Sequence, residues 1–156
     1  MDLERAPSAP RLASWAELER AAEDLATAIR RRFAANLHHV LGTVRLDGTP
    51  RLSGTEVAIA DGEVRLGMMH GSRKLRDVRR DPRVELHSAP LERMLVEGDA
   101  KISGALIDDD VVHVDHPHGV FFRLAIRRAS LVRVVDDELH VWSWSPDSGL
   151  EELRRR

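Results

Sequence analysis

The chain has 156 residues and a mass of 17.5 kDa, with 42% hydrophobic and 32% charged residues, which is the composition of one globular domain with a core of its own. Its 24 Lys and Arg against 26 Asp and Glu (net charge −2) disfavour a dedicated nucleic-acid binder, and the lack of cysteine excludes disulfides, thiol nucleophiles, iron–sulfur clusters and Cys-ligated zinc. No run approaches the ~20 apolar residues of a membrane span, and residues 1–10 lack the layout of a signal peptide, so a cytoplasmic protein is expected.

Residues 1–13 read as a loose leader, since Pro7 and Pro10 lack amide donors and little there is apolar. Ser14-Trp15-Ala16-Glu17 is a capping box. Behind it Leu18, Ala21, Ala22, Leu25, Ala28, Ile29 and Phe33 recur at helical spacing, which predicts a helix over 14–35 with a break near Glu23. From His38 the period becomes two. Val40, Gly42, Val44 and Leu46 alternate up to Asp47-Gly48, residues 52–60 alternate loosely up to Asp61-Gly62, and Val64, Leu66 and Met68 alternate again. Asp-Gly between alternating runs marks a hairpin, so a meander of three antiparallel strands is expected over 38–46, 51–60 and 63–69.

Ser72 is placed to cap a short helix with Leu75 and Val78 on its apolar face, ending before Asp81-Pro82. Strands are expected over 83–87 and over 99–107, the second with Gly104 at a bulge. A connection with Pro90 spans 89–98, and 108–110 is an acidic turn. Residues 111–119 fit neither period. A long strand or a pair covers 121–135, a last strand covers 139–144 after Asp136-Asp137, and 146–156 reads as a polar tail. Six to seven strands with short connections leave no room for parallel crossovers. The expected fold is α+β and mainly β: an antiparallel, closed or nearly closed barrel over 14–145, with an N-terminal helix and a short helix after the third strand.

Four constellations carry possible chemistry. Gly71-Ser72-Arg73-Lys74 starts a helix after a strand, where free amides, a hydroxyl and two cations suit a phosphate monoester; the plain alternative is a capped surface helix with solvated charges. In Arg51-Leu52-Ser53-Gly54-Thr55-Glu56, Gly54 lets a planar ligand approach the backbone, unless this is simply a polar strand face. His113-Val114-Asp115-His116-Pro117-His118 holds three imidazoles and a carboxylate, but Pro117 breaks regular geometry and solvated loop histidines are the commoner case. The basic run Arg73, Lys74, Arg76, Arg79, Arg80 and Arg83 is interleaved with Asp77, Asp81 and Glu85, as on a salt-bridged helix face. There is no nucleophile elbow, P-loop or dinucleotide fingerprint.

Together, the order of elements and the motifs resemble the pyridoxamine 5′-phosphate oxidase-like split-barrel flavoproteins. The likeness rests on Leu41-Gly42-Thr43-Val44-Arg45-Leu46-Asp47-Gly48-Thr49-Pro50, Gly71-Ser72-Arg73-Lys74, Asp81-Pro82-Arg83-Val84 and Gly98-Asp99-Ala100-Lys101-Ile102-Ser103-Gly104, and spans residues 36–144. It implies a split-barrel homodimer with cofactor sites at the subunit interface, and an oxidoreductase that uses FMN, or coenzyme F-420 in its place, on a small molecule. From the residues themselves, no metal, nucleic-acid partner or membrane is expected. By the same resemblance Ser72, Arg73 and Lys74 hold the phosphate, and Arg51, Leu52, Ser53, Gly54 and Thr55 run along the ring and ribityl chain. Gly67 and Met68 meet the cofactor, and Asp99 lies near a position where the oxidase itself has glutamine. Trp142 and Trp144 sit where an aromatic closes the site, or else in the core; Lys101 or His87 could serve in proton transfer, though each is more often structural, and no residue is assigned. The oxidase's C-terminal arginine-bearing segment has no counterpart, so pyridoxamine phosphate is not the expected substrate. The alternative is a non-catalytic flavin- or haem-binding or sequestering protein on the same barrel.

Overall fold

Two helices precede the sheet in the computed structural model, which describes residues 8–90, 97–110 and 113–156. The Ser14 hydroxyl accepts from the Glu17 amide at 3.2 Å and caps α1 (Trp15–Ala21). Ala22 leaves helical geometry (φ −147°, ψ 66°), and α2 (Glu23–Ala34) starts there, at the expected break. Trp15, Leu18, Leu25, Ala26, Ile29 and Phe33 are buried, one apolar stripe per helix. Within the leader expected over 1–13, the last residue belongs to the packed chain. Ala13 is buried and exchanges two backbone hydrogen bonds with Ile126, while residues 1–7 lie outside the described chain.

Among the described residues nine strands follow: β1 (His38–Val44), β2 (Pro50–Glu56), β3 (Ala58–Ala60), β4 (Glu63–Met69), β5 (Arg83–His87), β6 (Asp99–Asp108), β7 (Gly119–Val135), β8 (Glu138–Ser145) and β9 (Gly149–Arg155). Helix α3 (Arg73–Arg80) lies between β4 and β5, capped by Ser72, with Leu75 and Val78 buried. All pairings are antiparallel, in the order β2-β1-β5-β6-β7-β4-β3. β7 is long because it is shared: β6 pairs one edge from Phe122 to Val132, while the other edge pairs β4 over Gly119–Arg123 and β8 over Ala129–Val135. Asp61 and Gly62 (φ 54° and 74°), and Asp136 and Asp137 (φ 49° and 61°), supply the paired positive φ of tight hairpin turns. The bulge falls at Ser103/Gly104, where a Cβ on Gly104 would collide with the Ala125 carbonyl oxygen.

Three expectations need correction. The strand expected over 51–60 is two strands broken at Val57: β2 pairs only β1, and β3 pairs only β4. The expected meander is therefore split. β2 and β3 end opposite edges of the sheet order, and the chain through Val57, packed against the core, is what joins those edges. Period-two alternation reports which face a residue occupies, not which strand lies beside it. The stretch read as a polar tail contains β9, paired with β8 from Leu139 to Ser145. All but one of its side chains are exposed, so it carries no apolar period to read. These two changes raise the seven strands expected, with 121–135 taken as one, to nine among the described residues. Of the connection expected over 89–98, residues 91–96 lie outside the described chain, as do 111 and 112 of the unassigned stretch. Arg32, 1% exposed on α2, donates to the Gly98 and Ala89 carbonyls and so ties both ends of that connection to the helix. His39 is buried beside it. Its Nδ1 accepts from the Ala89 amide, so its proton sits on Nε2 facing the Phe33 and Asn36 carbonyls; burial lowers its pKa and keeps it neutral.

Candidate functional site

The split between β2 and β4 shapes the first cleft. These strands face each other without a ladder, and the gap opens into a cavity of about 630 Å³. Gly54, Thr55 and Glu56 form one wall, Gly67, Met68 and Met69 the other, and Lys74 of α3 reaches in from the end. A Cβ on Gly54 would meet nothing within 4 Å, so the backbone there is open to a flat ligand. Gly67 also lines the cleft, but for a different reason: a Cβ there would stand 2.7 Å from Phe121 Cε1, so the missing side chain makes room for the Phe121 ring. The Lys74 ammonium donates to the Gly54 carbonyl at 2.7 Å and so bridges helix and strand. Its partial burial lowers its pKa from the ordinary lysine value. The Ser72 hydroxyl accepts from the Leu75 amide at 3.3 Å, which leaves the first-turn amides of Arg73 and Lys74 without intrahelical acceptors.

A second cleft, also about 630 Å³, lies on the other side of the α3 start and is lined by Arg45, Arg51, Arg73, Arg76 and Arg80 with Asp47 and Asp77. Arg73 and Lys74 therefore diverge, as neighbours about 100° apart on a helix must. The α3 N-terminus stands between a cleft of mixed polarity with an open strand backbone and an arginine-rich one. That arrangement can hold a ring on one side and an anion on the other.

No family model matches the sequence, and no curated protein matches it significantly. Solved structures do match. The chain superposes on PhzG from Burkholderia lata, solved with tetrahydrophenazine-1-carboxylic acid, with a TM-score of 0.64 and 14% identity over 90% of this chain and 92% of that one. A pyridoxamine 5′-phosphate oxidase-related, FMN-binding protein from Nostoc punctiforme gives 0.62 and 11% over 86% and 96%. A pyridoxinephosphate oxidase-family protein from Clostridium acetobutylicum, related to general stress protein 26, gives 0.62 and 10% over 80% and 96%. This chain has the split-barrel fold of the pyridoxamine 5′-phosphate oxidase-like proteins.

Within this split barrel the expected site residues separate into groups. Gly54, Thr55, Gly67, Met68 and Lys74 share the first cleft, and Arg51 and Arg73 share the second. Ser72 caps the helix between them. Leu52 (76% exposed) and the half-buried Ser53 line neither cleft. Asp99 lies at the start of β6 with Oδ2 3.9 Å from His87 Nε2, and Lys101 pairs with His87 across the ladder; none of the three lines either of these two clefts. Trp144 is buried in the core cluster and Trp142 packs against it, so in this chain they are core residues of β8.

Sequence reasoning missed His38, His70, His116, His118 and Phe121, all of which line the first cleft. Only the 113–118 stretch carried a signal, and that was for metal. Among the described residues no three His, Asp or Glu side chains have metal-binding geometry. Instead the turn forms a cleft wall, with the His113 ring 4.1 Å from that of Phe121.

Proposed function

We propose that the protein is a flavin-type oxidoreductase that binds FMN, or coenzyme F-420, between two copies of the chain and acts on a small molecule in the cytoplasm. One observation carries this reading: the Lys74–Gly54 contact brings a phosphate-type helix start onto an open-backbone strand, across a slot of suitable volume. The residues fit the group. Gly54 leaves a face that any side chain would fill, and Ser72, Arg73, Lys74 and the free amides supply phosphate donors. When bound, a flavin or deazaflavin ring supplies hydride transfer. The protein's part is to hold and to shield. Thr55 and Met68 line the slot from its two walls, and Phe121, with its ring against that of His113, lines it as well. The Lys74 ammonium is partly desolvated, which lowers its pKa from the ordinary lysine value.

Leu46, Leu52 and Met69 are 76–81% exposed, and Leu46 and Met69 lie on the cleft walls themselves. Apolar side chains left open at the site fit cover by a second copy. No described helix is long and apolar enough to cross a membrane. The test is an absorbance and fluorescence titration of purified protein with FMN and with coenzyme F-420. Saturable micromolar or tighter binding of one is expected; binding of neither overturns the reading.

A further inference from the structure

Given the phosphate site proposed above, on which this rests, we infer that Asp77 is a positioning residue that makes Arg51 the phosphate-selecting group of the second cleft. The Asp77 side chain, on α3, is 5% exposed. It accepts from Thr43 Oγ1 of β1 at 2.8 Å, from Arg51 Nε of β2 at 2.7 Å, and more weakly from Arg80 Nη2 at 3.4 Å. Burial opposes its ionised form, but the hydrogen bonds from Arg51 and Thr43 outweigh burial and hold the carboxyl below the usual carboxylate value.

Arg51 gives only its Nε to this contact. Its two Nη groups have no acceptor among the described residues, and the side chain lines the cleft beside Arg73 and Arg76. A guanidinium anchored through Nε still presents paired N–H groups, in the planar spacing that phosphate oxygens match. Unanchored, it would be repelled by the guanidinium groups around it and would sample many rotamers. The same carboxylate ties β2, which carries Gly54, to the helix that carries Ser72, Arg73 and Lys74. Asp77 therefore fixes the distance between the open strand and the phosphate donors.

The test is Asp77→Asn, which keeps an acceptor and removes the charge. FMN and riboflavin, which differ by the phosphate, are titrated by fluorescence quenching against wild type and variant. FMN affinity is expected to fall about tenfold or more, the scale of one charge-assisted bond, while riboflavin affinity holds. Equal losses for both ligands, no loss for either, or a gain for FMN overturns the inference. If the variant does not fold, Arg51→Lys answers the same question, since lysine keeps the charge but has neither Nε anchor nor fork. A collapsed FMN preference supports the inference, and a retained one overturns it. If the wild type shows no preference for FMN over riboflavin, the phosphate site itself fails. The role of Asp77 then falls with it, whereas a wild-type preference for FMN that Asp77→Asn keeps overturns the role of Asp77 alone.

Discussion

Lys74 and Arg73 face different clefts, and this makes their joint removal an informative perturbation. Each can give one charge-assisted hydrogen bond to a phosphate held at the start of α3, worth about 1.5–3 kcal/mol. Lys74→Ala or Arg73→Ala alone is therefore expected to weaken FMN binding by about 10- to 150-fold. Because both hold the same phosphate, their effects need not add; the double variant should lose at least as much as the weaker single variant, up to an additive limit of about 10⁴-fold. The fold should tolerate both changes. Arg73 is exposed, and the only described hydrogen bond from Lys74 is to the Gly54 carbonyl. The assay is a fluorescence titration of FMN at two ionic strengths, with urea midpoints as the stability control. The wild type should lose affinity with salt more steeply than the double variant. Wild-type FMN affinity in the folded double variant would refute the phosphate assignment.

Gly54→Val should leave stability within a few tenths of a kcal/mol, since nothing stands within 4 Å of the new Cβ, yet reduce cofactor affinity about tenfold or more by blocking the open strand face; unchanged affinity in a titration would remove that face from the site. Gly67→Ala should behave in the opposite way. Its Cβ would stand 2.7 Å from Phe121 Cε1, so the ring must move, and overpacking of this kind costs about 1–3 kcal/mol, read as a lower urea midpoint. The Asp81 carboxyl is lowered to about 2, chiefly by its hydrogen bonds from the Arg83 side chain and amide. Its folded value lies below its unfolded one, so its stabilisation is fully present above the ordinary aspartate range and is lost as pH falls towards 2. Asp81→Asn should flatten that acid limb in urea midpoints measured from pH 5 to 2; an unchanged slope would count against the Arg83 contact.

Much of this protein was decided by short stretches of sequence. Ser14 and Ser72 cap the helices they precede, because a hydroxyl one step before a helix satisfies an amide that nothing else can. Asp61-Gly62 and Asp136-Asp137 turn their chains where expected, since few residues accept two successive positive φ values. Gly104 marks its bulge, because only a missing Cβ fits under the Ala125 carbonyl. The motif at 71–74 placed donors at a helix start, and Gly54 placed an open backbone in a strand, each legible from its own residues. The assembly of those parts was not. Alternation in 51–60 could not show that the chain changes partners at Val57, and that change creates the cleft. Nor could it show that Phe121, 54 positions on, fills the space Gly67 leaves, or that His116 and His118 wall the same cleft. The Thr43–Asp77–Arg51 contact joins two strands and a helix, and no local pattern brings those residues together. Local rules fix turns, caps and faces because they depend on one backbone and its own atoms. Partners and cavities depend on which distant strands lie side by side, and only the folded chain decides that.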